Sequence, residues 1–363
     1  VYETRRIVFC DLDHTMTSGN RGTPTREELA ARERAARWMF ENAGVVFVTA
    51  RTPELVMSSR LYRATLKRGY ITRPEPLWIT DEGGLRSYQP IETIPFFDWC
   101  YDPHGIGSFG SEIFVRRGDY SIPDAEYTAR LIGWREKMLQ QLRHPDLKGS
   151  IERVLDAIEN SESYPARRVP VAPLEYRIQL VFEGESAARE KERIKRQLRA
   201  LHKYLDFRLV DENTPPDRYV MYIVPRETTK ERMIAHILRK MREEIPVADN
   251  ISRKIEVIVI GDQIPDMRAG MVGVRDARGA FVVPRDSRIA PHLSPKGTRA
   301  GKPFAGENMS HFTNQLKETE RPGYYNLLGT ERVVIITDEA YPSTTLPPES
   351  VAAYLEDQRF ILC

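Results

Sequence analysis

The sequence has no excess of charge of either sign and no basic cluster. Its 363 residues include 54 Lys and Arg against 52 Asp and Glu, so the formal net charge is only +2. Proteins that bind nucleic acid or acidic membrane surfaces usually carry a basic patch or run. We therefore expect neither nucleic acid nor membrane as a partner. The composition leaves the oligomeric state open.

Cysteine is scarce, and long hydrophobic runs are absent. The three cysteines, Cys10, Cys100 and Cys363, are widely spaced and form no Cys-x-x-Cys pair, which is typical of a reducing compartment. No apolar run reaches the roughly 18 residues that a membrane-spanning helix needs, and the N-terminus has no signal-peptide core. We expect a soluble, cytoplasmic protein.

What the sequence does have is length and apolar content. The chain exceeds one ordinary domain, and 41% of its residues are hydrophobic, which is enough for more than one core. We therefore expect two domains.

The most informative stretch lies near the N-terminus. The apolar run Ile7–Cys10 predicts a strand buried on both faces, and Asp11 and Asp13 follow it, with Thr15 just beyond. Open α/β sheets bind ligands at this end of their strands. Two neighbouring carboxylates repel each other unless a cation or a shared proton lies between them, so the pattern favours a hard metal ion. The alternative is a turn in which Asp13 caps the next segment. We interpret Cys10 as a small buried hydrophobe rather than a nucleophile.

A helix and a second strand follow. Thr25 and Glu28 resemble a capping box, which predicts a helix to about Asn42. The run 45–49 predicts another buried strand. Strand, helix and strand in this order argue for a parallel sheet with right-handed crossovers. The second strand ends in Thr49, Ala50 and Arg51, which places a hydroxyl and a guanidinium at the same edge as Asp11.

A third short strand is predicted over residues 77–80. The glycines that follow it, Gly83 and Gly84, permit close backbone approach to a ligand at the same edge. From about residue 86 to 225 the strands carry more polar residues and are separated by long charged helices. This change predicts an inserted α+β domain.

Two later segments bring charged groups back to the predicted sheet edge. Lys230 begins a helix, where a lysine opposes the helix dipole, so contact with an anionic ligand would explain it. An exposed surface lysine is the alternative. The run Ile255–Ile260 predicts a strand that leads into Gly261 and Asp262, with Asp266 close behind.

The C-terminal region gives weaker signals. Residues 281–283 predict an edge strand, residues 332–337 a last strand, and the segment from Pro347 to about Asp357 a short helix. Between them, residues 284–304 are crowded with Pro, Arg, Ser and Gly. A loop of this length is typical either of a functional flap or of disorder.

Over roughly residues 5–275 the chain resembles the haloacid dehalogenase superfamily. The resemblance lies in four ordered motifs: Asp11-Leu12-Asp13-His14-Thr15, Thr49, Lys230, and Gly261-Asp262 with Asp266. The insertion point resembles that of the phosphatases with a large α/β cap, such as the Cof-type and sucrose-phosphate phosphatases. One departure is Gln263-Ile264-Pro265, which replaces the commoner small residue and Asn between the acids of the last motif.

The resemblance implies an α/β fold, with a Rossmann-like parallel-sheet core and an inserted cap. The core would comprise residues 1–85 and 226–363, and the cap residues 86–225. It also implies a role for each motif residue. Asp11 would be the nucleophile, Asp13 the general acid and base, and Thr15 and Asp266 supporting residues. Mg²⁺ would bind Asp11, the Asp13 carbonyl and Asp262. Phosphate would meet Lys230, Thr49, Ala50, Arg51, Gly83 and Gly84.

These residues are suited to phosphoryl transfer on chemical grounds as well. A carboxylate can attack phosphorus, and a cation with an ammonium group can neutralise the transferring group. The expected activity is therefore Mg²⁺-dependent hydrolysis of a small phosphorylated metabolite, with sugar phosphates as first candidates, through an aspartyl-phosphate. A phosphomutase and a catalytically inactive binding module are the alternatives.

Overall fold

The described part of the chain forms two compact units. The computed structural model describes residues 5–16, 25–48, 99–107, 112–117, 120–142, 166–167, 178–201, 207–212, 218–243, 255–263, 266–268, 278–293 and 314–358. The first unit takes those within 1–107, 114–122 and 230–363, and the second takes those within 108–113 and 123–229. Residues 99–107 group with the first unit, and the chain passes from the second unit to the first at 229/230. The predicted division into residues 1–85 with 226–363 and residues 86–225 stays a prediction.

The described secondary structure contains both strands and helices. In chain order the elements are β1 (Arg5–Cys10), α1 (Arg26–Asn42), β2 (Gly44–Phe47), β3 (Trp99–Gly107), β4 (Glu112–Arg117), β5 (Tyr120–Pro123), α2 (Ala125–Leu142), β6 (Ala166–Arg167), β7 (Ile178–Glu183), α3 (Ala187–Leu201), β8 (Phe207–Glu212), β9 (Arg218–Pro225), α4 (Lys230–Glu243), β10 (Ile255–Ile260), β11 (Arg278–Val283), α5 (Ala290–Leu293), β12 (Leu316–Glu318), β13 (Tyr324–Leu327), β14 (Arg332–Ile336), α6 (Thr337–Ala340) and α7 (Pro347–Asp357). The strand predicted at residues 77–80 lies outside the described residues.

The first unit is built on a seven-stranded sheet in the order β12-β13-β14-β11-β10-β1-β2. Strands β14, β11, β10, β1 and β2 run parallel, whereas at one edge β13 pairs antiparallel with β14, and β12 pairs antiparallel with β13. The predicted α/β fold with a parallel sheet is therefore confirmed as a mostly parallel mixed sheet.

One face of this sheet packs against two helices. Alternate residues of the central strands, such as Val8 and Ile258, are buried in one cluster with Trp38 of α1 and Leu355 of α7. Full burial of such apolar side chains stabilises a fold by roughly 1.5–3 kcal/mol each. Helix α1 begins as predicted, because the Thr25 side chain accepts a hydrogen bond from the Glu28 amide at 3.1 Å.

The C-terminal strands correct one prediction. The strand predicted at residues 281–283 is β11, and it is not an edge strand, since β10 and β14 pair with its two sides. The edge is instead the β12–β13 hairpin, which pairs with β14. The interior position also explains Gly279, where a Cβ would lie 1.9 Å from the Val257 carbonyl oxygen. Residues 284–293 are described and form a turn followed by α5.

The second unit contains an antiparallel sheet in the order β6-β7-β9-β8, together with α2 and α3. Strands β3, β4 and β5 form a separate three-stranded sheet. Among the described residues, no helix combines the length and apolar character that crossing a membrane requires.

Candidate active site

Three parallel strands bring the predicted acids together. Cys10 lies level with Ile260 in the sheet, so β1 and β10 end side by side. The ladder continues one residue further, because the Asp11 amide donates to the Ile260 carbonyl at 2.9 Å and the Gly261 amide to the Val282 carbonyl at 3.1 Å. Asp11 and Asp262 therefore extend from hydrogen-bonded main chain at the edge of the sheet, and not from a free loop.

Lys230 lies between two of the acids. Its Nζ donates to Asp11 Oδ1 at 2.8 Å and to Asp266 Oδ1 at 2.5 Å. The Lys230 side chain is only 12% exposed, so it is not a surface lysine. A buried turn sets the start of α4, since the Thr228 hydroxyl donates to the Pro225 carbonyl at 2.7 Å.

Asp266 uses both of its carboxylate oxygens. Oδ1 accepts from Lys230, and Oδ2 accepts from the Gln263 amide at 3.2 Å. Its close approach to the end of β10 requires Gly261, as a Cβ there would lie 2.2 Å from the Asp266 Cβ. Asp266 thus holds Lys230 in place beside Asp11.

Asp262 differs from Asp266 in the hydrogen bonding of its carboxylate. It is fully buried, and neither carboxylate oxygen has a hydrogen-bond partner among the described residues. Carboxylate oxygens of Asp11, Asp262 and Asp266 lie within 4.8 Å of one another. Because an unpaired buried carboxylate is costly and oxygen donors suit Mg²⁺, these residues fit the predicted cation.

Burial and mutual repulsion control the protonation of this cluster. Burial raises the pKa of Asp11 well above its usual range, and the Lys230 ammonium only partly opposes this. Burial, with the nearby Asp266 carboxylate, raises the pKa of Asp262 to about 7. Burial alone would lower the pKa of Lys230, but Asp11 and Asp266 outweigh it and raise the pKa above its ordinary value. Lys230 is therefore a cation at neutral pH, and a second cation would favour ionised acids.

The rest of the first motif forms a tight turn after β1. The Met16 amide donates to the Leu12 carbonyl at 3.0 Å, and His14 has a φ of 58°. Asp13 is half-buried, and it is not among the three acids whose carboxylates cluster. Thr15 is buried, and its hydroxyl has no hydrogen-bond partner in the described part of the chain.

Cys10 does not add a nucleophile to the site. It is completely buried, and its Sγ donates to the Asp11 carbonyl at 3.2 Å. Burial raises the pKa of this thiol well above its usual value. A protonated, inaccessible thiol is inert.

Sequence reasoning missed one residue next to the acids. The Ser287 hydroxyl, in the loop after β11, donates to the Asp262 carbonyl at 2.9 Å. A serine within a segment crowded with Pro, Arg, Ser and Gly carries no signal that could single it out. The other predicted phosphate contacts, namely Thr49, Ala50, Arg51, Gly83 and Gly84, lie outside the described residues.

Comparison with known proteins gives only distant likenesses. No family model and no curated protein matches this chain. Trehalose-6-phosphate phosphatase of Aspergillus fumigatus is 11% identical, with 97% of this chain and 93% of that chain covered, at a TM-score of 0.37. An N-terminally truncated IMP-nucleotidase of Plasmodium falciparum is 16% identical, with 73% and 64% covered, at a TM-score of 0.36. Because both TM-scores lie below 0.5, these likenesses carry no weight in the functional conclusion, which depends on the site itself.

Proposed function

We propose that this chain is a Mg²⁺-dependent phosphomonoester hydrolase that acts on a small phosphorylated metabolite, with sugar phosphates as first candidates. The observation that carries the proposal is the bridge from Asp11 through Lys230 to Asp266, with the unpaired Asp262 carboxylate beside it. A buried carboxylate, an ammonium group and an acid in need of a cation are the parts that phosphoryl transfer to an aspartate requires.

The cation would be held by Asp11 and Asp262, with the Asp13 carbonyl added from the motif resemblance. Asp266 is less suited to the ion, because both of its oxygens already accept hydrogen bonds from Lys230 and Gln263. When bound, Mg²⁺ supplies positive charge that neutralises the transferring phosphoryl group and orients it.

The side chains would then act in two steps. In the first step an Asp11 carboxylate oxygen forms a bond to phosphorus while the bond between phosphorus and the ester oxygen breaks, and Asp13 gives its proton to the departing alkoxide. In the second step Asp13 takes a proton from water, whose oxygen attacks the phosphorus of the aspartyl-phosphate. Phosphate leaves, and Asp11 is a carboxylate again. Lys230 stays charged throughout and offsets the negative charge.

The test is release of inorganic phosphate from a panel of phosphorylated metabolites. The unaltered protein should release phosphate with Mg²⁺, lose turnover in excess chelator, and work poorly with Ca²⁺, whose larger and looser shell misplaces the nucleophile. Asp11→Asn should abolish turnover. Glu356→Gln is the matched control, since Glu356 is a surface acid paired with Arg34 and should leave turnover unchanged.

Two results would overturn the proposal in different ways. Conversion of a sugar phosphate into its isomer without phosphate release would identify a phosphomutase. No reaction with any substrate, with or without Mg²⁺, would identify a binding module.

We also propose, from the motif resemblance, that residues 86–225 are a cap whose side chains choose the substrate. Exchange of polar side chains in this region should alter the ranking of natural substrates and leave small activated phosphates nearly unaffected. An unchanged ranking across such variants would assign specificity to the core. The cytoplasmic location stays a prediction.

A further inference from the structure

We propose that Ser287 is a positioning residue that holds Asp262 in the geometry needed to bind a divalent cation. The inference rests on the proposed function, because it concerns the same cation site. It assigns a specific role to the loop after β11, for which the sequence left a functional flap and disorder as alternatives.

The first support is the contact itself. Ser287 is only 5% exposed, and its hydroxyl donates to the Asp262 main-chain carbonyl at 2.9 Å. The same oxygen accepts from the Ile289 amide at 3.2 Å. The hydroxyl therefore donates one hydrogen bond and accepts another, and both partners are main-chain groups.

The second support is the rigidity of the segment that carries Ser287. The Ser287 amide donates to the Pro284 carbonyl at 3.1 Å and closes a four-residue turn. Its third residue, Asp286, has a φ of 58°, the sign that a type II turn needs at that position. The Arg285 amide also donates to Ser350 Oγ at 3.1 Å. The turn is thus fixed to the body of the first unit.

The third support is the state of Asp262. Its carboxylate oxygens have no hydrogen-bond partner among the described residues. Its direction depends on the main chain at Asp262, and Ser287 binds that main chain from the next strand's loop. Loss of a residue that contacts a metal ligand, without contacting the metal itself, typically weakens metal affinity 10–100-fold.

The test compares two buried hydroxyl groups. Ser287→Ala removes the donor to Asp262, whereas Thr344→Val removes a buried hydroxyl that donates to the Tyr341 carbonyl at 2.8 Å. Magnesium binding is measured by titration calorimetry on each full-length protein, and thermal melting is measured without metal. We expect both variants to melt at a lower temperature, but only Ser287→Ala to raise the Kd for Mg²⁺, by about 10–100-fold.

The outcomes are distinct. An unchanged Kd in Ser287→Ala, or an equal rise in Thr344→Val, overturns the positioning role while the hydrolase proposal stands. Absence of Mg²⁺ binding in the unaltered protein overturns the cation site, and the positioning role with it. If Ser287→Ala does not fold, Ser287→Cys replaces it, because a thiol is a weaker donor of similar shape. A smaller rise in Kd then supports the role, and an unchanged Kd contradicts it.

Discussion

Gly261 and Asp266 lie so close that any side chain at position 261 would displace the acid. A Cβ built on Gly261 would be 2.2 Å from the Asp266 Cβ and 2.6 Å from its Oδ2. The same Asp266 carboxylate holds Lys230 at 2.5 Å. The glycine at the end of β10 is therefore connected, through Asp266, to the ammonium group that faces Asp11.

Gly261→Ala should therefore damage catalysis without touching a reacting group. The added methyl pushes Asp266 away, and Lys230 then keeps only one of its two carboxylate partners. A displacement of about 1 Å in a positioning network can cost about 10²-fold in rate. We expect kcat to fall by about that factor while the protein stays folded, as checked by circular dichroism. Wild-type kcat in a folded Gly261→Ala protein would contradict the connection.

Gly133→Ala is the matched control for Gly261→Ala. Gly133 is an exposed residue of α2, and a Cβ there would meet nothing within 4 Å. Gly133→Ala should raise the free energy of unfolding by about 0.5–1 kcal/mol, because glycine is unfavourable inside a helix. Urea denaturation measures this change. Unchanged or lowered stability would show that this stretch of α2 does not behave as an ordinary helix interior.

The metal-free protein should lose stability as the pH rises towards neutrality. Asp262 has a pKa of about 7 in the folded state against 3.8 as the reference value. Between these values the folded chain keeps a proton that the unfolded chain releases, so the free energy of unfolding falls as the pH rises from about 4 to about 7. The raised pKa of Asp11 acts in the same direction. Chemical denaturation in chelator between pH 4 and 8 measures the slope.

Asp262→Asn is the control for this pH dependence. The variant cannot ionise at position 262, so the slope should become shallower and the metal-free protein should be more stable near pH 7. Mg²⁺ binding should show the reverse trend in the unaltered protein, tightening up to about pH 7 because the ion competes with a proton. An equally steep slope in Asp262→Asn would mean that another group titrates.

The predictable parts of the site are the acids that closely follow an apolar strand in the sequence. The continuous apolar runs of β1 and β10 end immediately before Asp11 and Gly261, and parallel strands must end at one sheet edge. The order of secondary structure was predictable for the same reason, since runs buried on both faces are distinctive.

Other features depend on contacts that the sequence does not encode locally. The interior position of β11 follows from pairing with β14, about 50 residues away in the chain. The contact from Ser287 to Asp262 joins two loops that only the folded sheet brings together. The unpaired oxygens of Asp262 likewise reflect what surrounds the residue in space. Tertiary packing, rather than local pattern, decides all three.

The two acids of the first motif should differ in what their loss does to the two chemical steps. Asp11→Asn removes the attacking carboxylate, so no phosphorylated protein should form with any substrate. Asp13→Asn leaves the nucleophile but removes the proton donor and later the base, which are worth roughly 10²–10⁴-fold each where they are needed. An aryl phosphate leaves without protonation, so with this substrate the first step should survive in Asp13→Asn while hydrolysis of the intermediate slows.

Phosphate should therefore accumulate on Asp11 of the Asp13→Asn protein. The measurement is a rapid-quench time course with an aryl phosphate and, beside it, an alkyl phosphate, followed by mass analysis of the protein. A burst of aryl product approaching one per chain, absent with the alkyl ester, supports the acid and base role. The location of Asp13 outside the cluster of Asp11, Asp262 and Asp266 fits this division, because a group that shuttles protons must not itself be tied to the cation. Equal impairment with both substrates and no trapped phosphate would assign Asp13 to structure alone.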